Sequence, residues 1–182
     1  MSNKFLSLLA VCFLVFSCKS EDKKTEENAE STETNAVKKM LVQMEVIQTT
    51  ANNYAVYYTE DNSINFTPDY VIWNEVKPSP NVQTLDFSFP ESAYPTHVRF
   101  DLGNNPQTDD VVLNKFKLSY GDKSLEAKGS DFFNYFLKND SIATEIDQAK
   151  GSIKFLKKKG SKAVPFFYPN EVMMLEIAKL MK

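Results

Sequence analysis

The chain has 182 residues, two cysteines and a nearly even balance of 21 basic and 24 acidic residues. From Val37 on, about 145 residues remain, which is enough for one domain with one hydrophobic core. That part has 17 basic and 18 acidic residues, a balance that argues against nucleic acid as a main partner. Two cysteines are also too few for the disulfide framework of a small secreted scaffold.

Residues 1–17 have the pattern of a bacterial signal peptide. Lys4 supplies a positive start, an apolar run extends from Phe5 to Phe16, and the small residue Ser17 precedes Cys18. The run is too short to span a bilayer, which takes about 20 apolar residues. Its end resembles the lipobox of bacterial lipoproteins, whose cysteine is diacylated and becomes the new N-terminus, so we expect lipid on Cys18. The alternatives are an ordinary signal peptide and an uncleaved anchor.

Residues 18–36 have the composition of a disordered acidic tether behind the lipidated cysteine. Between Lys19 and Ala36 there is no aromatic and no large aliphatic side chain, so the segment cannot bury enough apolar surface to order itself. It resembles the segment that follows the lipidated cysteine in surface-exported lipoproteins of Bacteroidota. That resemblance implies a lipid-anchored protein of the outer membrane, with the cell surface favoured slightly over the periplasmic face.

The first two-thirds of the remaining chain, residues 37–182, read as strands. Apolar and polar residues alternate in "TLDFSF", "HVRFDL" and "NKFKLSY", and apolar runs occupy Met40–Gln48 and Tyr54–Thr59. Clusters rich in Asn, Asp, Pro and Gly separate these segments, among them "EDNSINFTPD" and the break "KPSPN". Alternation with period two between such clusters predicts an antiparallel sheet with one face buried.

The last third combines short elements of both types. "SDFFNYFLKND" predicts a short helix near residues 131–138, with Ser130 or Asp131 as its cap. "PFFYP" predicts an extended segment, and "NEVMMLEIAKLMK" predicts a C-terminal helix near residues 170–181 that Asn170 caps. The same letters also permit a strand at the C-terminus. The fold class is therefore mainly β: a single antiparallel β-sandwich, jelly-roll-like, with two peripheral helices.

Residues 40–121 resemble a β-sandwich module of bacterial envelope proteins. The resemblance rests on the order "AVYYTEDNSINFTPD", "VQTLDFSFP" and "HVRFDLGNNPQTDDVVLNKFKLSYG". Such modules look like carbohydrate-binding jelly rolls. The resemblance implies glycan binding without catalysis, and no enzymatic activity or cofactor is expected.

The sequence contains no motif for a catalytic centre. His97 is the single histidine, and the domain from Val37 on has no cysteine, which makes a zinc site improbable. There is no G-x-S-x-G, P-loop or dinucleotide-binding motif. Two carboxylates would suffice for a glycosidase, but no pair stands out.

Five residues are candidates for ligand binding. His97, Arg99 and Asp101 lie on one side of a predicted strand, and an arginine fork binds carboxylates or paired sugar hydroxyls. Trp73 and Tyr94 are candidates for stacking on a sugar ring. The alternatives are that Arg99 forms an ion pair with Asp101 or Asp86 on a solvated face, and that the aromatic residues pack in the core.

Two further sites are weaker candidates. "DLGNNPQTDD" offers hard oxygen ligands for calcium, although a turn without metal is favoured; its candidates are Asp101, Asn104, Asp109 and Asp110. "DSI" resembles the O-glycosylation sequon of Bacteroidota, which would modify Ser141. Together these features predict a glycan-binding envelope lipoprotein. The alternative is a structural or protein-interaction lipoprotein, accessory to an envelope complex.

Overall fold

The computed structural model describes residues 38–103, 110–139, 144–156 and 165–182. In these ranges the chain forms two antiparallel sheets and one C-terminal α-helix, and all described residues belong to one compact unit. The strands are, in chain order, β1 (Met40–Gln48), β2 (Asn52–Thr59), β3 (Val71–Val76), β4 (Ser79–Ser88), β5 (His97–Asp101), β6 (Val111–Tyr120), β7 (Lys123–Lys128), β8 (Phe136–Lys138), β9 (Thr144–Asp147), β10 (Ser152–Phe155) and β11 (Phe166–Pro169).

The two sheets pack face to face as a β-sandwich, which confirms the predicted fold class. The six-stranded sheet has the order β4-β1-β6-β10-β9, with β7 also paired to β6, and the five-stranded sheet has the order β3-β2-β5-β11-β8. β1 pairs with both β4 and β6, while β2 pairs with both β3 and β5. The β1–β2, β3–β4, β4–β5 and β5–β6 connections therefore each cross from one sheet to the other, which is a jelly-roll-like wrapping.

Strict alternation explains why one face of β1 is buried. Met40, Val42, Met44 and Val46 are fully buried, and the residues between them are half-buried. Successive side chains of a strand point to opposite faces, so the even-numbered residues all face the second sheet. The same rule places Leu85 and the other inward residues of β4 in the core while Asp86 stays exposed.

A cluster of phenylalanine rings forms the middle of the core. Phe100 of β5 and Phe116 of β6 bring the two sheets together, with ring centroids 5.6 Å apart in an edge-to-face arrangement. The ring centroid of Phe136 lies 4.9 Å from that of Phe100 on β5 and 4.6 Å from that of Phe132. Phe132 belongs to a short 3₁₀-helix, so Phe136 links this helix to β5. These separations are in the range that favours aromatic pairs.

The predicted helix near residues 131–138 is present only in part. A 3₁₀-helix covers Gly129–Asn134, and Phe136–Lys138 is strand β8. The expected side-chain cap at Ser130 or Asp131 is wrong, because the N-cap is Lys128 and it makes no side-chain capping bond. The chain leaves the helix because β11 pairs with Phe136–Lys138 over its whole length.

A second correction concerns the break "KPSPN". Only Lys77 and Pro78 lie outside strands, and β4 begins at Ser79 with Pro80 inside it. Proline lacks the N–H that a central strand needs, but an edge strand tolerates it. β4 is an edge strand of its sheet, and on its outer side there is no neighbouring strand to which Pro80 would have to donate a hydrogen bond.

The C-terminal helix, α1 (Glu171–Leu180), is confirmed with its predicted cap. The Asn170 side chain accepts a hydrogen bond from the Met173 backbone N–H at 3.1 Å. Met173, Ile177 and Leu180 are buried at helical spacing, which is the apolar face expected of a helix packed on a core. The helix contacts β7 and β11.

Candidate functional site

On the outer face of the six-stranded sheet, charged side chains pair with one another. Lys115 pairs with Glu45 at 3.0 Å and lies 3.7 Å from Glu126. Asn114 donates a hydrogen bond to Glu45 at 2.9 Å. The bonds from Asn114 and then Lys115 lower the pKa of Glu45. These side chains satisfy one another and form a mixed-charge surface.

The outer face of the five-stranded sheet is aromatic instead. In the strand register, Tyr57 of β2 lies opposite Arg99 of β5, and Ala55 lies between Trp73 of β3 and Asp101 of β5. The neighbouring strand β11 adds Phe166, which is paired with Asp101, and Tyr168. We call this surface the aromatic face and define it by its five rings: Tyr57, Phe66, Trp73, Phe166 and Tyr168.

The turn after β2 brings Phe66 onto the aromatic face. Ser63 N–H donates to Asp61 Oδ1 at 3.0 Å, and Thr59 Oγ1 donates to the Ser63 carbonyl at 2.6 Å. Asn62 adopts a φ of 61°, a left-handed conformation that asparagine tolerates better than most residues. The turn then folds back so that the Phe66 ring lies 6.1 Å from that of Tyr168.

Arg99 and Asp101 form a bidentate ion pair beneath these rings. Arg99 Nε and Nη2 donate to the two carboxylate oxygens of Asp101 at 2.7 and 2.8 Å. The guanidinium carbon lies 4.2 Å from the ring centre of Tyr57, 4.8 Å from that of Phe166 and 5.3 Å from that of Phe66. All three distances are within cation–π range.

The ion pair belongs to Asp101 and not to Asp86, and its surroundings differ from the solvated face that was expected. The Arg99 side chain is 15% exposed and that of Asp101 is 9% exposed. Burial raises the pKa of Asp101, although the Arg99 hydrogen bonds and charge act in the opposite direction. Asp86 lies on β4 in the other sheet, where it accepts a hydrogen bond from Gln43 at 3.0 Å.

Trp73 is the most accessible ring of the aromatic face. It is 53% exposed, and its ring meets that of Tyr57 edge to face with centroids 6.4 Å apart. Ala55 lies between Trp73 and Asp101 in the register and is fully buried. The backbone of one strand thus separates the exposed ring of Trp73 from the Arg99–Asp101 pair.

The remaining two candidates, His97 and Tyr94, lie elsewhere. Both line a separate cavity beside α1, together with Met174 and Ile177 of that helix. Tyr94 is 55% exposed, and its backbone N–H donates to Glu60 at 2.7 Å. The five sequence candidates thus divide into Trp73, Arg99 and Asp101 at one place and His97 and Tyr94 at another.

Sequence reasoning missed Tyr57, Phe66 and Phe166, the three rings that surround Arg99. Tyr57 is two residues from Ala55 on the outer side of β2, a position that the alternation of that strand indicates once its inner side is known. Nothing in the sequence shows that Phe66 and Phe166, about a hundred residues apart, meet over one guanidinium.

Several predicted sites fall outside the described residues. These are Cys18, the tether, the calcium candidates Asn104 and Asp109, and Ser141. Of the other calcium candidates, Asp101 is engaged by Arg99 and Asp110 is exposed. Among the described residues, no group of three or more His, Cys, Asp or Glu side chains is arranged to hold a metal ion. In the same ranges no helix has the length and apolar character to cross a membrane.

Comparison of this chain with protein-family models, with curated proteins and with solved structures found no match.

The ion pair generates a first prediction about stability. Arg99→Ala leaves the Asp101 carboxylate buried without its partner, so the free energy of unfolding should fall by about 3–5 kcal/mol. The matched control is Lys117→Ala on the other sheet, whose pair with Glu126 is 3.9 Å long and exposed; it should cost under about 1 kcal/mol. Denaturant melts measure both. The double variant Arg99→Ala/Asp101→Ala should lose less than the sum of the two single losses, and additivity would contradict a coupled pair.

The single histidine generates a second prediction, about pH. Burial lowers the pKa of His97, and the nearby Asp61 charge offsets this only in part. The unfolded chain therefore binds a proton at higher pH than the folded chain. The neutral His97 ring contributes fully to the free energy of unfolding above about pH 7, since an unperturbed histidine has a pKa of about 6.5. This stability is lost as the pH falls through the pKa of His97 in the folded chain.

Thermal melts between about pH 7.5 and 5.5 test this, a range chosen around the ordinary histidine pKa. The wild-type Tm should fall toward low pH, and His97→Gln should flatten that fall. Equal slopes for both proteins would show that His97 titrates normally.

Proposed function

We propose that this chain is a non-catalytic outer-membrane lipoprotein that binds glycan through the aromatic face. The observation that carries the proposal is the exposed ring of Trp73 on a sheet face that is otherwise paved with aromatic side chains. Sugar recognition needs a flat apolar surface for the ring of the sugar and polar atoms for its hydroxyls. The aromatic face supplies the first through Trp73 and the second through Arg99, whose side chain is 15% exposed.

The geometry gives Arg99 a different role from Trp73. Its bonds to Asp101 use two of the five N–H groups of the guanidinium. The pair is pre-ordered by the three surrounding rings, so little entropy is lost when a hydroxyl binds to it. Trp73 supplies contact area for the sugar ring. Arg99 holds the surrounding aromatic rings in position and offers N–H groups at the centre of the aromatic face.

A shallow surface of this kind supports weak binding by one copy. Few atoms lose water on contact, and the cost of ordering the ligand opposes the gain. Lipid anchoring through Cys18 would place many copies on one membrane and raise their effective concentration toward a polymeric glycan. The proposed anchor and the proposed ligand therefore suit each other.

The alternative is a structural or protein-interaction lipoprotein, and one observation favours it. Leu137, paired with Tyr168 on the outer side of β8, is 57% exposed, and Ile64 in the turn after β2 is 64% exposed. Together with Trp73 they enlarge the apolar surface beyond what a sugar ring covers, and larger exposed apolar patches mark protein contacts.

A glycan array with the full-length chain in detergent separates these alternatives. Wild-type protein should bind one class of glycan with millimolar affinity, and Trp73→Ala should weaken that binding at least tenfold, about 1.4 kcal/mol. Tyr94→Ala is the matched control, because Tyr94 is an aromatic residue of nearly equal exposure away from the aromatic face. Absence of binding by wild type at millimolar concentration would favour the protein-interaction alternative. Equal losses in both variants would show that the aromatic face is not the glycan site.

The anchor has its own test. In the native host, labelled palmitate should enter wild-type protein and the control Cys12→Ser, since Cys12 lies in the segment that cleavage removes. The label should be absent from Cys18→Ser, which lacks the thiol that is acylated. A Cys18→Ser protein that still takes up label and fractionates with membrane would show that the lipobox assignment is wrong.

A further inference from the structure

A cavity of about 370 Å³ lies between the start of β5 and the last turns of α1, away from the aromatic face. Pro95, Met174, Ile177 and Met181 form apolar walls, and the exposed ring of Tyr94 borders the opening. Sites for small molecules are concave, mostly apolar and about 300–1,000 Å³ in volume, with a few polar groups that fix orientation. The cavity has this character, so its polar groups decide what it accepts.

The Thr96 hydroxyl is hydrogen-bonded to the His97 ring. The Thr96 hydroxyl accepts from the Asn62 N–H and donates to the Thr59 carbonyl, both at 3.1 Å. A hydroxyl has one hydrogen, so toward His97 Nδ1, also 3.1 Å away, it accepts. With the hydroxyl in that orientation, Nδ1 is the protonated nitrogen. Burial favours the neutral ring, and Nε2 of that ring is then an acceptor.

Glu60 adds a second acceptor at the cavity. Its Oε1 takes the hydrogen bond from the Tyr94 N–H at 2.7 Å, which fixes the carboxylate at the rim. An ionised carboxylate accepts hydrogen bonds and donates none. Lys182, the one cationic residue among the lining residues, is exposed beyond the end of α1, and Glu60 is exposed at the rim, so solvent and salt screen both charges. The two polar groups that are held in place, the His97 ring and the Glu60 carboxylate, can thus both accept a hydrogen bond from a ligand.

We propose that this cavity binds a small apolar molecule with a hydrogen-bond donor at one end, such as an aryl-alkyl amine or alcohol. The apolar body lies against Met174, Ile177 and Met181. The donor end meets His97 Nε2 and the Glu60 carboxylate. An ammonium head gains further from the face of Tyr94, since aromatic rings attract cations.

Three probes that share one apolar body test the proposal: 2-phenylethylamine, 2-phenylethanol and 3-phenylpropanoate. Saturation-transfer NMR on the full-length chain in detergent, with empty micelles as the blank, reports binding. The amine and the alcohol should bind, and the carboxylate, which has no donor at neutral pH and a repelled charge, should bind at least tenfold more weakly. The ¹⁵N shifts of His97 should show Nδ1 protonated, and addition of the amine should move the Nε2 resonance.

Variants of α1 locate the binding. Ala178 lines the cavity and is itself exposed, so Ala178→Trp should block binding without entering the core. Leu175→Trp is the matched control, because Leu175 is 62% exposed on the same helix and does not line the cavity. If Ala178→Trp lowers the Tm strongly, Ala178→Leu gives the same test with a smaller side chain.

Each contrary outcome overturns the proposal. No binding of the amine or the alcohol by wild type means that the cavity is not a ligand site. Equal or stronger binding of the carboxylate means that the donor preference is wrong. Binding that persists in both Ala178 variants places the probe elsewhere on the protein.

Discussion

The Arg99 guanidinium lies in the middle of a sheet, where a charge is stable only if it is paired. Water is largely excluded there, and an unpaired buried charge costs several kcal/mol. Asp101 meets the requirement by accepting two parallel hydrogen bonds from Arg99 on the same strand, and three rings pack within 5.3 Å of the guanidinium carbon. Because those rings come from β2, from β11 and from the turn before β3, the pair ties together elements that are distant in sequence. The shape of the aromatic face depends on it.

The two outer faces of the sandwich differ in the side chains that they present to solvent. On the six-stranded sheet, lysines and glutamates alternate and pair, so the surface is hydrated and complete by itself. On the five-stranded sheet, the charge lies below and the aromatic rings lie above, so apolar area remains in contact with water. That arrangement costs solvation and adds nothing to the core, whose rings already pack against one another between the sheets. That exposed apolar area is the basis of the proposed glycan site.

Much of the fold could be predicted because strand alternation is a local signal. β1 and the second halves of β4 and β6 bury most of the residues that period two selects, and the Asn170 cap marks the start of α1. The two-sided burial of β5 could not be predicted, because alternation in "HVRFDL" looks the same whether the polar side meets solvent or other side chains. Strand β8 was missed for a related reason: its conformation is set by β11, which lies about thirty residues later in the sequence.

For the candidate site, the sequence predicts the ion pair but not the side chains that surround it. Arginine and aspartate two residues apart on a strand indicate a pair, and the pair forms. Whether that pair binds a ligand or supports the fold depends on what covers it, and Phe66 reaches Arg99 only through the hydrogen bonds of the turn at Asp61 and Ser63. The placement of Trp73 and Tyr94 on different parts of the surface likewise follows from topology alone.

The topology also determines which residues can separate binding from stability. His97 and Arg99 are two positions apart on β5, about 7 Å along the strand, so each candidate site shares that strand with the other. A change at Arg99 releases Asp101 and the rings above it, and its effect on any ligand is mixed with its effect on the fold. Trp73 and Ala178 lie at the periphery, one on an edge strand and one on the exposed side of α1. Their effects should be nearly additive, as for substitutions without shared partners, so the surface residues rather than the central pair distinguish the two sites.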